Sequence, residues 1–182
     1  MNAADGLGDT SGGDGHNPPK ARVLVAGVGN IFFLDDGFGP EVARRLAAED
    51  PIVDAHVEDY GIRGLHLAYE LLNGYEAAVI VDAVPRDQPP GTLYVIEPSA
   101  PEQTGAPDAH RMDLTNVFAF LRMLGGEAPP ITIVGCEPTT VEEGIGLSPA
   151  VANAVESALP LVRRVVSDVL TRKETPWSEA LS

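Results

Sequence analysis

Three side chains far apart in the chain have the types needed for metal-assisted hydrolysis. They are Asp36 in FLDDGFG, Asp82 at the end of AAVIVD, and His110 in DAHRMD. Two carboxylates and one imidazole form a borderline-hard donor set suited to zinc, nickel or manganese, with positions left open for substrate. Their spacing is not a local metal motif, so only the fold can bring them together. Each also has a simpler reading. Asp36 lies just ahead of a helical segment, where a carboxylate is a good N-cap and faces the positive end of the helix dipole. Asp35 is the better cap if Asp36 points into a cleft. Asp82 finishes an apolar strand, where a carboxylate is costly unless it meets a partner, water or metal. It suits either a hydrogen-bonded turn or a general base. His110 suits a solvated loop.

Other chemistries are weaker. Gly27 to Asn30 (GVGN) resembles a dinucleotide fingerprint, but the third glycine of that pattern is Phe32 here. Its glycines then serve tight chain reversal and close backbone packing, and Asn30 bonds within its own loop. Cys136 and His110 could form a thiol dyad, although a cysteine at the end of an apolar strand is more often a buried small hydrophobe. No G-x-S-x-G elbow is present. His56 and His66 read as packing or surface groups, Glu142 and Glu143 as a solvated pair, and Glu137 as an edge residue with no assigned role.

The elements that must position these groups alternate. Short apolar runs at Arg22–Ala26, Val53–Asp59, Ala77–Asp82 and Pro130–Cys136 read as strands. Helical spacing covers Phe38–Glu49, Gly64–Leu72 and Asp113–Leu124, with Pro40 in a first turn, where its missing N–H costs little. A long helix starts at Ser148-Pro149, and Pro160 is expected to kink or split it. The linker AVPRDQPPG is too short for a helical crossover, so Thr92–Glu97 runs antiparallel to the strand before it or takes an edge. This predicts an α/β fold: a three-layer α/β/α sandwich on a five-stranded, mostly parallel sheet with one antiparallel strand. Functional groups of such sheets lie at the carboxyl ends of the strands. That rule selects Asn30, Asp35, Asp36, Asp59, Asp82, Cys136 and Glu137.

The chain has 182 residues, which suits one domain, and 44% hydrophobic residues, enough for a core. We expect the domain over 21–172, between a glycine- and aspartate-rich extension (1–20) and a loosely held tail (173–182). A net charge of −15 argues against nucleic acid and against anionic membranes as partners. A single cysteine excludes an intrachain disulfide. With no apolar leader and no membrane-length run, a cytoplasmic location is expected.

Taken together, four segments resemble the hydrogenase maturation proteases: VLVAGVGNIFFLDDGFGPEVARRL, VIVDAVPRDQPPGTLYVIEP, DAHRMDLTNVFAFLRMLG and ITIVGCEPTTVEEGIGLSPAVANAV. The resemblance spans about Val23 to Val166. It implies an aspartyl-type endopeptidase that removes the C-terminal extension of a [NiFe] hydrogenase large-subunit precursor. It implies that Asp36, Asp82 and His110 match metal-binding positions engaging nickel already inserted in that substrate, with zinc a substitute in vitro. Two departures stand out. Many members carry glutamate where this chain has Asp36. Many also carry an aspartate-glycine-glycine-threonine segment, implied to help recognise substrate, where this chain has EDYGIRG. Only Asp59, Gly61 and Gly64 match it. Two other functions stay open: a metal-sensing docking module that does not cut, and a nucleotide-binding α/β domain.

Overall fold

The computed structural model describes residues 21–97 and 114–174. The strands are β1 (Val23–Val28), β2 (Ala55–Gly61), β3 (Ala77–Ala83), β4 (Leu93–Ile96) and β5 (Ile131–Cys136). The helices are α1 (Phe38–Ala48), α2 (Gly64–Leu71), α3 (Leu114–Met123) and α4 (Pro149–Glu174), with a 3-10 turn at Leu34–Gly37. The sheet order is β2-β1-β3-β5-β4. All neighbours pair in parallel except β4, which pairs antiparallel with β5. This is the expected sheet. The strand after the short linker runs antiparallel to β3 and takes an edge, but its partner is β5, which inserts between them.

The central strands are apolar at successive positions because both faces are covered. Val23, Val25, Val79 and Val81 point to α1 and α4, packing on Phe38, Val42, Val155 and Val162. Leu24, Ala26, Ala78 and Ile80 point the other way and pack with Leu67, Leu71, Val117 and Leu121 of α2 and α3.

Three expectations shift. β2 starts and ends two residues later than its sequence pattern suggests, with a bulge opposite Gly27/Val28. α4 is not split at Pro160, which lies on the exposed face of one continuous helix. α4 also runs on to Glu174, past the expected domain boundary at 172. The expected extension over 1–20, the rest of the tail, and Asp113 at the start of the expected third helix lie outside the described residues.

This strand order has a switch point between β1 and β3: the chain leaves β1 towards β2 on one side and returns to β3 on the other. Ligand crevices of open α/β sheets form at that point, beyond the carboxyl ends.

Candidate functional site

The exit from β1 is built by glycines that let α1 approach the sheet. A Cβ on Gly39 would fall 2.2 Å from both Val28 O and Val81 O. The start of α1 is therefore wedged onto the ends of β1 and β3. A Cβ on Gly27 would fall 2.4 Å from Gly39 O, and Gly29, at φ 131°, has Asp36 O where its Cβ would stand. The glycines serve backbone packing, as the sequence suggested. The loop is also not an open phosphate cradle. The Asn30 N–H, which would donate to a bound anion, already donates to Asp36 Oδ2 at 2.6 Å. Asn30 Oδ1 accepts from Phe32 N at 3.0 Å, closing the turn as expected. These contacts count against the nucleotide-binding alternative.

The paired aspartates divide their tasks. Neither caps α1, whose N-cap is Gly37 with no side-chain bond. Asp35 is fully buried. Its Oδ1 accepts from Ser148 N at 2.6 Å, and its Oδ2 accepts from Thr139 N at 2.8 Å and Thr140 N at 3.3 Å. Burial opposes its charge, but the bonds from Ser148, Thr139 and Thr140 outweigh that and hold its pKa below the ordinary value. Asp35 thus ties the 3-10 turn to the loop after β5 and to the start of α4, where Ser148 accepts from Val151 N. The expected capping of α1 by Asp35 is therefore not found, because its oxygens are taken by the loop after β5 and by Ser148.

Asp36 is half-buried and turns back to the switch point. Burial pushes its carboxyl above the ordinary value, against the opposing pull of the Asn30 N–H. Oδ2 is occupied by Asn30, and Oδ1 makes no bond among the described residues. One oxygen is therefore fixed and the other is available.

Asp82 is the penultimate residue of β3, one after Val81, and pairs in register with Gly135. It is half-buried and partnered. Since Val81 pairs with Gly27, Asp82 emerges beside the β1 exit that carries Asp36. The loop following it is held by Glu137, to which sequence reasoning gave no role. Glu137 is buried, and its Oε2 accepts from Arg86 N at 2.8 Å and from the Tyr94 hydroxyl. The Tyr94 bond, together with N–H bonds from Arg86, Gln88 and Asp87, keeps the carboxyl below its ordinary pKa despite burial. A glutamate straight after a buried strand and facing a proline-rich linker was the available signal.

On the other side, Gly27 pairs with Asp59, an exposed residue near the end of β2. Gly61 has φ 51°, a left-handed conformation that favours glycine. A Cβ there would lie 3.6 Å from Asp59 Oδ1. Gly64 is the buried first residue of α2. Arg63 donates from Nε to Tyr60 O at 3.1 Å and from Nη2 to Asp59 O, bracing this turn rather than standing free on the surface.

His110 lies outside the described residues. Among the described residues, no group of three His, Cys, Asp or Glu side chains is arranged to hold a metal ion. Cys136 is fully buried, and its thiol is pushed up to about 12 by burial and by the charges of Asp35 and Glu137. A thiol so protected from ionisation is a poor nucleophile. His56 is exposed and sits 3.2 Å from Glu58, and His66 is exposed on α2. Glu142 and Glu143 are exposed as expected.

Comparison with known proteins places this geometry in context. A family model described as hydrogenase maturation protease matches residues 40–165. The hydrogenase expression/formation protein HupD of Rhodobacter capsulatus is 35% identical over 144 residues, covering 76% of this chain and 68% of that protein. The hydrogenase 2 maturation protease of Escherichia coli (strain K12) is 32% identical over 145 residues, covering 78% of this chain and 88% of that one. Among solved structures, the hydrogenase maturating endopeptidase HybD from E. coli superposes with a TM-score of 0.64 at 27% identity, covering 81% of this chain and 93% of that chain.

Proposed function

Since the chain belongs to the hydrogenase maturation protease family, we propose that it is an endopeptidase that removes the C-terminal extension of a [NiFe] hydrogenase large-subunit precursor after nickel insertion. The observation that carries the site assignment is the switch point between β1 and β3, where the Asp36 loop and Asp82 emerge side by side. His110 completes the set on the strength of the family resemblance. Asp59, Gly61 and Gly64 form the neighbouring turn and are assigned to substrate recognition.

Nickel arrives as part of the substrate. Asp36, Asp82 and His110 are the residues that would hold it, and it would supply Lewis acidity at the scissile carbonyl. Asp36 suits a shared site because Oδ1 is free to bind while Oδ2 is fixed by Asn30. One of the two carboxylates, Asp36 or Asp82, would take a proton from attacking water. Water is the proposed nucleophile because Cys136 is buried and protonated. Zinc is the natural substitute to try in vitro. We place the activity in the cytoplasm. No helix among the described residues is long and apolar enough to cross a membrane.

Cleavage of nickel-loaded precursor is tested with the wild-type chain and with Asp36→Asn, Asp82→Asn and His110→Ala, read by intact mass. The expected result is loss of the extension with wild type and none with the variants, each still folded. Normal processing by His110→Ala would remove that residue from the mechanism. Binding of the precursor by the wild-type chain with no mass change would favour the docking module.

A further inference from the structure

Hydrolysis of a peptide bond by water develops negative charge on the carbonyl oxygen, and a hydrolase needs donors aimed at it. Backbone N–H groups are the common source, but at this rim they are largely spent. From Phe32 to Asp36 every backbone N–H donates within the protein. Gly29 N donates to Gly61 O, and Asn30 N to Asp36 Oδ2. Beyond β3, the N–H groups of Arg86, Asp87 and Gln88 are taken by Glu137.

The side chain of Asn30 is different. Its amide is held by the turn it closes: Oδ1 accepts from Phe32 N at 3.0 Å, while the backbone oxygen of the same residue accepts from Phe33 N at 3.0 Å. A backbone N–H can only donate, so the amide atom facing Phe32 is the oxygen and the nitrogen is turned away from the loop. Nδ2 makes no bond among the described residues. It is open to solvent, since no buried side-chain nitrogen or oxygen among them lacks a partner. Asn30 thus presents two N–H donors whose direction is set before any ligand arrives.

Their place is set as well. Nδ2 is four covalent bonds from Asn30 N and so lies within about 5 Å of it. Asn30 N stands 2.6 Å from Asp36 Oδ2. The donor and the carboxylate are therefore at most about 8 Å apart. Three contacts of about 3 Å each can bridge that span: base to water, water to carbonyl carbon, and carbonyl oxygen to donor.

We propose that Asn30 is a further catalytic residue, whose Nδ2–H donates to the oxygen of the scissile carbonyl as its charge develops. The inference rests on the endopeptidase reading and adds a donor for the tetrahedral intermediate. Water oxygen bonds to the carbonyl carbon, and the C=O π pair moves onto the oxygen facing Asn30. The water proton passes to Asp36 or Asp82. Return of the pair breaks the C–N bond, and the proton goes to the leaving nitrogen.

Two variants test this in the full chain. Asn30→Asp keeps the shape and the acceptor for Phe32 N but has no N–H. Asn30→Ser keeps an acceptor without adding charge, and its hydroxyl ends one bond short of the amide nitrogen. Both should melt with wild type. Under cleavage of nickel-loaded precursor, both should lower kcat about a hundredfold or more and leave KM within about twofold. Wild-type kcat in either variant overturns the donor role, and so does a raised KM with kcat unchanged, which would make Asn30 a ground-state contact. A fall in activity matched by a fall in melting temperature in both variants also overturns it, leaving only turn closure. In each of these outcomes wild type still cuts. A wild-type chain that leaves the precursor uncut removes the endopeptidase reading, and this role with it.

Discussion

Neutralising either of two adjacent aspartates separates structure from chemistry. In Asp35→Asn, one of the two buried oxygens becomes an NH₂ group. Whichever way the amide turns, that group faces an N–H donor, because Ser148 N approaches Oδ1 at 2.6 Å and Thr139 N approaches Oδ2 at 2.8 Å. At least one charge-assisted bond is lost and one buried donor is stranded, so the cost is about 3 kcal/mol. For a domain of this size that is a fall in melting temperature of about 6–12 °C. Asp36→Asn differs, because the amide oxygen can still accept from Asn30 N and the burial penalty on the charge disappears. Its stability at pH 7 should equal or exceed wild type while cleavage stops. The pH dependences have opposite signs. The Asp35 pKa is depressed, so its contribution is full above the unfolded carboxylate value and is lost as pH falls through the folded value. The Asp36 pKa is raised, so wild type is favoured below the unfolded value and loses that advantage as pH rises through the folded one. The gain of Asp36→Asn over wild type should therefore grow across that window. Urea denaturation of the three proteins from pH 3 to pH 8, with cleavage assayed beside it, provides the test. Equal destabilisation by both substitutions, or a loss below about 1 kcal/mol for Asp35→Asn, would refute the division of labour.

Further outcomes follow from the same geometry. Gly39→Ala drives a methyl into two backbone oxygens and should cost about 3 kcal/mol or more, read as loss of soluble, cooperatively melting protein. Cys136→Ala should keep nearly full cleavage at a stability cost of about 1 kcal/mol, and iodoacetamide should leave the native enzyme active. Glu137→Gln should loosen the 84–91 loop, seen as faster amide hydrogen exchange there, and should lower kcat about tenfold with little change in KM.

The layered fold was readable because apolar runs such as Ala77–Val81 are long enough for a strand buried on both faces, and because a short proline-rich linker forbids a parallel return. Pairing was less readable: nothing in Leu93–Ile96 says that β5 lies beside it, since that is decided by sheet closure. Asp36 and Asp82 were legible as carboxylates ending strands or turns. The role of Asp35 was not, because its partners lie more than a hundred residues away. Glu137 was noticed at a strand end but given no role for a related reason, as its partners are the Tyr94 hydroxyl and backbone N–H groups of a loop that has no periodicity to read.

The account stands most directly on the mass of the precursor large subunit after incubation with this protein. Nickel-loaded precursor should lose its C-terminal extension in one cut, and precursor prepared without nickel should keep it. Equal trimming of both forms would contradict metal-gated recognition, and an unchanged mass in both would contradict the protease itself.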